Sequence, residues 1–212
     1  MVESKAVAAL GAFARAQKEE TRRRLLEAAT LVFERDGYVA PSVDDIAQEA
    51  DVSRQTFYRH FDGKLAIAIA CFTLQSAEVV EPWRQLDEKS ARDPAAVERW
   101  LVAFFEARRA RPGMLRALFE MSLLEPSFVV QMRAHIGEIV DGLAERIEAF
   151  AKTRGPGKEA RLLRVDASLL VLQILGQGNS VASGTVMVDR QLLLPALARA
   201  FVDFVERSDQ RG

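Results

Sequence analysis

The chain has 212 residues, 49% of them hydrophobic and 28% charged, which suits a soluble globular protein of one large or two modest domains with ample length for a buried core. Its formal net charge is −1, and residues 1–64 hold 10 Lys+Arg against 11 Asp+Glu, so no basic domain advertises a nucleic-acid partner. One cysteine excludes an intrachain disulfide framework, and with only two histidines beside it no His/Cys metal cluster can be built.

Residues 1–20 read as an N-terminal arm. Ala6 to Ala14 is a short apolar run, and Ala14-Arg15-Ala16 imitates a signal-peptidase site. The run is mostly Ala and Gly, and Glu3 cancels Lys5 ahead of it, so the expectation is a flexible or weakly helical arm rather than a signal peptide. Thr21 to about Asp36 is a helix, with Leu25, Ala28, Ala29, Val32 and Phe33 in one stripe and Gly37 as its stop. Arg22-Arg23-Arg24 at its start are either a solvated face or phosphate contacts. Tyr38 to Pro41 is a connector.

Ser42 follows Pro41 and opens an apolar-periodic run, so it reads as an N-cap. Val43, Ile46, Ala47 and Ala50 share one helical face, while Asp44 and Asp45 sit in the first turn, where the helix dipole favours negative charge. Asp51-Val52-Ser53 breaks this short helix. Asp is a residue type that enters the left-handed region at modest cost. Ser53 is a second N-cap, for a helix from Arg54 to about His60. Ala47 lets the two helices approach closely, and Val52, Phe57 and Phe61 supply apolar contacts from the other side, which is a helix-turn-helix pattern. Arg54, Gln55, Thr56, Tyr58, Arg59 and His60 are left facing outward. All are hydrogen-bond donors and none is acidic: Arg and Gln types read base edges in a major groove, and Tyr, Thr and His hold phosphates. Asp62 reads as the N-cap of a third helix with Lys64 in its first turn. A cation there opposes the helix dipole unless an external anion such as a DNA phosphate arrives; a solvated surface lysine is the alternative.

This stretch resembles the DNA-binding domain of the tetracycline-repressor (TetR) family of transcriptional regulators. The resemblance rests on Ile46-Ala47, Ala50-Asp51-Val52-Ser53, Thr56-Phe57-Tyr58, His60-Phe61 and Lys64. Asp51 stands where the family has a turn glycine, and Gln55 where it has the glycine before the threonine, which puts a long amide near the groove. The resemblance implies an all-α protein: a three-helix DNA-binding domain over residues 21–67, then a helical ligand-binding and dimerisation domain over 68–212. It implies that the helix Arg54–His60 enters the major groove of a pseudo-palindromic operator. Ser42, Tyr58, His60 and Lys64 would hold phosphates, and Arg54, Gln55, Thr56 and Arg59 would face bases. It further implies a cytoplasmic homodimer, a repressor released by a small apolar or amphipathic effector, with an activator or a ligand-independent regulator as the alternative.

Downstream, a long helix runs from Asp62 to about Val80 and ends at Pro82. Asp93-Pro94 starts another, through Trp100, Leu101, Phe104 and Phe105, ending before Pro112-Gly113. A helix with Leu115, Leu118, Phe119 and Met121 stops near Pro126. Ser127 to about Lys152 reads as one long amphipathic helix closed by Gly155-Pro156-Gly157. Lys158 to about Ser183 and Asp189 to about Glu206 are the last two. Ala167 to Val188 carries no charge over 22 positions, but its Ser, Gln, Asn and Gly content is too polar for lipid, so a helix buried on several sides is expected and no membrane partner. With Leu192, Leu193, Leu197, Phe201, Val202 and Val205 in the last helix, it supplies the apolar surplus that a dimer interface needs. Trp100, Phe104, Phe119, Met132 and Gln173 are the candidate effector-pocket residues, plain core being the alternative. Buried amides such as Gln173, Gln177 and Asn179 need a partner, from a ligand or the other subunit.

No catalytic constellation is present. There is no Gly-x-Ser-x-Gly elbow, and Gly176-Gln177-Gly178 lacks both a preceding strand and the third glycine, Val181 taking its place. His135 lies mid-helix beside Ile136 as a packed or surface histidine. The expectation is therefore no enzyme, cofactor or metal, against an all-α enzyme with an appended helix-turn-helix or a structural adaptor.

Overall fold

A computed structural model describes residues 2–109 and 112–210, and the side chains of 2–10, 77 and 112 lie outside the described part. The described residues are all-α, as expected, with ten α-helices and no strand among them: α1 Val2–Asp36, α2 Val43–Glu49, α3 Arg54–Tyr58, α4 Lys64–Val80, α5 Pro94–Arg108, α6 Pro112–Leu124, α7 Phe128–Ala144, α8 Glu148–Ala151, α9 Lys158–Ser183 and α10 Arg190–Gln210.

The expected arm is not a separate element. Its backbone continues without a break into α1, a single 35-residue helix. The physical reason is the absence of a breaker: Ala, Lys, Glu, Gln and Arg are good helix formers, and the lone Gly11 is tolerated. Thr21 Oγ1 donates to the Gln17 carbonyl at 2.9 Å and Arg23 pairs with Glu20 at 2.5 Å across the expected boundary, while Arg23 also pairs with Glu27 at 2.5 Å one turn on. Residues 11–20 are exposed throughout, so this part of the helix rests on propensity and pairing rather than on burial.

The two apolar cores do not follow the expected division at residue 67. The first joins Leu25, Ala29, Val32 and Phe33 of α1 to Ile46, Phe57 and Phe61, then to Ile67, Cys71 and Phe72 of α4. It also takes in Met114, Ala117 and Met121 of α6 and Phe128 of α7. The second is built from α5, α7, α8, α9 and α10 around Trp83, Leu101, Phe104, Ile139, Phe150, Val171 and Phe201. Cys71 is the buried small hydrophobe expected of it, and burial pushes its thiol up to about 11. Segment Lys64–Gln85 has the length and apolarity of a membrane span, with 29% of its most apolar window buried; Ile67, Ala68, Cys71 and Phe72 belong to the first core.

The long helix expected over 127–152 is broken. It stops at Ala144, and Ile147 is extended (φ −131, ψ 117) before the short α8 and a 3-10 turn. Ile147 is 1% exposed, and the Glu148 amide that the break releases donates to Glu88 Oε2 at 2.8 Å. The turn also brings Phe150 against Phe201 and Phe204, with ring centroids 5.6 and 4.7 Å apart.

His135 is packed, 4% exposed, with its ring edge-on to Phe72 at 5.1 Å and its Nδ1 buried without a hydrogen-bond partner. Burial first, and the Arg108 charge second, push its pKa down from 6.5 to about 4. Above pH 6.5 the ring is neutral whether folded or not, and contributes no pH dependence. Below that, the unfolded chain takes up a proton that the folded chain refuses until about pH 4, so stability falls over this window. The loss reaches about 2–3 kcal/mol. His135→Leu is expected to remove it: urea midpoints of the two proteins, compared at pH 7 and pH 4.5, should differ in how far they fall. An equal fall for both proteins would remove His135 as the cause.

Candidate nucleic-acid interface

The interface is assembled by local capping. Ser42 accepts from the Asp45 amide at 3.2 Å while the Asp45 carboxylate accepts from the Ser42 amide at 2.7 Å, a reciprocal box that fixes the start of α2. Ser53 caps α3 by accepting from the Thr56 amide at 3.1 Å. Between them Asp51 has φ +51, the left-handed conformation its residue type was expected to take. Arg24, from α1, donates to the carbonyls of Ala50 and Asp51 at 2.6 and 3.2 Å, satisfying the turn from outside. Phe57 is fully buried and holds α3 down.

Held this way, α3 turns Arg54, Gln55, Tyr58 and Arg59 to solvent, and half-buries Thr56 and His60. Arg54 is not idle: it pairs with Asp44 at 2.5 Å, and its guanidinium lies 5.5 Å over the Tyr58 ring. An exposed pair of this kind is worth at most about 1 kcal/mol, so a phosphate or base edge can take the guanidinium from Asp44. Arg59 donates to Thr56 Oγ1 at 3.0 Å. Helix α3 ends at Tyr58 rather than His60. His60 turns back toward α1, into a cleft with Gln17, Lys18, Thr21 and Arg59, and its Nδ1 is buried without a partner. Burial first, then the Lys18, Arg59 and Arg22 charges, hold its pKa below the usual histidine value.

Lys64 departs from its expected place as a free hand for phosphate. Helix α4 begins at Lys64 itself, and the ammonium donates to the carbonyls of Val39 and Pro41 at 3.2 and 3.0 Å and lies 4.7 Å over the Tyr38 ring. Burial lowers its pKa. It fixes the connector first, and one N–H remains for an outside acceptor. The three consecutive arginines are dispersed. Arg22 lies 5.1 Å over Phe61, Arg23 is paired within α1, and Arg24 caps the turn.

Sequence reasoning missed the attachment of this domain to the rest. The amides of Tyr38 and Val39 donate to Glu120 Oε2 of α6 at 2.6 and 2.9 Å, the Tyr38 hydroxyl donates to Glu125 at 2.6 Å, and Arg116 donates to the Arg35 carbonyl at 3.0 Å. Burial and then Glu125 raise the Tyr38 pKa. Gly37, at φ +79, leaves the space that Glu120 and Arg116 enter, since an added Cβ would come within 2.8 Å of the Glu120 carboxylate.

A cavity of about 250 Å³ lies between α4, α5 and α6, lined among others by Phe72, Val79, Phe104, Arg108, Met114 and Leu118. Of the five expected pocket residues only Phe104 lines it. Trp100 is core: it stacks on Phe104 at 5.2 Å and its Nε1 donates to the Pro82 carbonyl at 2.8 Å. Met132 is packed between the two cores. Phe119 is 63% exposed, because α6 turns Met114, Leu115 and Leu118 inward and its neighbouring face outward. Gln173 is exposed on α9, on the side of Leu169 and Leu172. Asn179 is the amide that does find a buried partner, accepting from Arg108 at 2.5 Å. Among the described residues no group of three or more His, Cys, Asp or Glu stands where it could hold a metal ion.

Residues 25–71 match the family model described as bacterial regulatory proteins, tetR family. The chain is 29% identical over 158 residues to the HTH-type transcriptional activator FasR of Mycolicibacterium smegmatis, a stretch covering 74% of this chain and 70% of that one. In fold it is similar to a tetR-family transcriptional regulator from Streptomyces coelicolor, with TM-score 0.62 and 20% identity over 92% of this chain and 84% of that one. It is similar also to Salmonella enterica GusR, with TM-score 0.64 and 20% identity over 88% of this chain and 96% of that one.

Proposed function

From a chain that belongs to the TetR family and is a DNA-binding transcriptional regulator, we propose a more specific reading: a cytoplasmic homodimeric repressor that binds a pseudo-palindromic operator and is released by a small apolar or amphipathic ligand. The observation that carries it is the outward face of α3, where Arg54, Gln55, Tyr58 and Arg59 stand exposed on a helix anchored from below by Phe57. Arg54, Gln55, Thr56 and Arg59 face the bases in this reading, and Ser42 and Tyr58 the phosphates, with the remaining N–H of Lys64.

The two-fold part is supported by an unpartnered apolar stripe. Leu162, Val165, Leu169 and Leu172 of α9 are 43–58% exposed, and Leu192 of α10 is 63% exposed. Residues at these helical spacings lie on one side of α9. A second copy covering them would also place two recognition helices for two half-sites.

Ligand release is supported by where the cavity sits. Its walls include Phe72 and Val79 of α4 and Met114, Leu115 and Leu118 of α6. The same two helices hold the DNA-binding part: Lys64 at the start of α4 takes the connector carbonyls, and Glu120 of α6 takes the connector amides. A ligand that spreads α4 from α6 moves the recognition helices, and binds the released form more tightly by the factor that it weakens operator binding.

The test is fluorescence anisotropy on the duplex upstream of the protein's own gene, against scrambled duplex, across a salt series, with sedimentation giving the stoichiometry. The expected result is a preference of about a thousandfold, steep weakening with salt, and two protomers per duplex. Sequence-blind binding, to that duplex and to a randomised pool alike, overturns the reading; one protomer per duplex removes its two-fold part. A second reading, activation, is favoured by the name of the Mycolicibacterium relative. Transcription from the bound promoter in vitro separates the two, falling for a repressor and rising for an activator.

A further inference from the structure

Arg108 is the unusual group in the cavity wall. It sits at the end of α5, half-buried, with its Nε buried and without a hydrogen-bond partner. Its contacts are neutral: the Asn179 side-chain oxygen at 2.5 Å and the face of Phe104 at 5.5 Å. Among the described residues no carboxylate pairs with it. Burial alone pushes its pKa down to about 10, so it stays charged at neutral pH, and its field contributes to holding His135 neutral. The backbone makes room for it: at Gly178 of α9 an added Cβ would come within 3.3 Å of Arg108 Cδ. A desolvated cation without a counter-ion is costly, and the cost is relieved by any ligand that brings the anion.

The rest of the wall sets the remainder of that ligand. Phe72, Val79, Phe104, Met114, Leu115 and Leu118 are apolar. The volume of about 250 Å³ lies just below the roughly 300–1,000 Å³ of ordinary ligand sites, which limits the tail to a medium-length chain. Arg108 is the one guanidinium among these lining residues, and it matches a single negative charge on the head.

We propose that the ligand of this cavity is an amphipathic monoanion, a carboxylate on a medium-length apolar chain, with Arg108 as the counter-ion of its head and the α4–α6 walls around its tail. The inference rests on the reading of this cavity as the ligand site. Asn179 then acts as the placeholder that accepts from Arg108 in the empty protein.

The experiment is calorimetry of the DNA-free, full-length protein with decanoate and with decanol, both below their aggregation concentrations. Decanoate is expected to bind once per protomer, and decanol about tenfold or more weaker, the difference made by a charge-assisted hydrogen bond to a buried cation. Arg108→Gln is expected to abolish the preference while keeping the alcohol's affinity, and Arg108→Lys to keep part of it. Equal binding of acid and alcohol by the unaltered protein overturns the proposal, as does binding of neither. The unaltered protein alone decides this even where a variant fails to fold. A preference that survives in Arg108→Gln also overturns it. Decanoate that binds through Arg108 but leaves the operator complex intact leaves this inference standing and removes ligand release. Release by a neutral ligand without any preference for the acid does the reverse.

Discussion

Phe57→Ala is expected to destabilise the protein by about 3–5 kcal/mol and to reduce operator binding to the level of scrambled DNA. The reason is the length of α3. Five residues cannot hold themselves helical in water, since nucleating a first turn costs more than so few bonds return. Its caps help at one end: Ser53 accepts the Thr56 amide, a contribution of about 1 kcal/mol. The rest comes from Phe57, fully buried, edge-on to Tyr58 at 5.5 Å and tilted against Phe61 at 6.0 Å. Truncating it leaves a cavity under the helix and frees Tyr58 from its packing. Arg54→Ala is the control. It removes an exposed pair with Asp44 and an exposed cation–π contact with Tyr58, so its melting temperature should stay near that of the unaltered protein while operator affinity drops. Thermal melts and anisotropy on the same samples read both effects. Operator affinity retained in Phe57→Ala would show that α3 is positioned by something other than its buried aromatic.

The helix-turn-helix was legible in the sequence because its geometry is local. Ser42 and Asp45 are three residues apart, Ser53 and Thr56 likewise, and the left-handed turn falls on a residue type suited to it. What was hidden depends on distant partners. The break after Ala144 is stabilised by Glu88, 60 residues from the amide that it accepts, and nothing in the amphipathic pattern of 127–152 announces it. The connector amides are held by Glu120, more than 80 residues downstream. Three consecutive arginines look like one basic patch, yet helical rotation sends them to an aromatic ring, to intrahelical carboxylates and to a turn. Phe119 shows the limit of periodicity. Leu115, Leu118 and Phe119 are all apolar, α6 also exposes Leu123 and Leu124, and a helix apolar on two faces does not say which one is inside. Arg108 was missed because a charged residue near a helix end ordinarily reads as solvated; packing against Phe104 and the approach of α9 at Gly178 bury it.

Gly113→Ala tests the attachment of the DNA-binding part, and there two effects oppose each other. Alanine is the better helix former by up to about 1 kcal/mol, less at a position only one residue into α6. Against this, a Cβ built at Gly113 would lie 1.7 Å from the Glu34 carbonyl oxygen, 2.6 Å from its carbon and 2.9 Å from its Cα. All three atoms are backbone of α1, so no side chain can swing aside. A relaxed carbon–oxygen contact is about 3.3 Å, and α6 must retreat from α1 by roughly 1.5 Å to reach it. That retreat stretches the Arg116 bond to the Arg35 carbonyl and the Glu120 bonds to the Tyr38 and Val39 amides, and it loosens Met114, Ala117 and Met121 in the first core. Overpacking costs about 1–3 kcal/mol and each lost bond about 1 kcal/mol, so the clash outweighs the propensity gain by about 2–4 kcal/mol. The melting temperature is expected to fall by several degrees, about 2–4 °C for each kcal/mol in a chain of this size. The amides of Tyr38 and Val39, protected by the Glu120 carboxylate in the unaltered protein, are expected to exchange faster with deuterium in the variant. A melting temperature unchanged or raised, with those two amides still slow, would mean that α1 and α6 do not meet at Gly113. The cavity would then lack the wall through which a bound carboxylate is proposed to move the recognition helices.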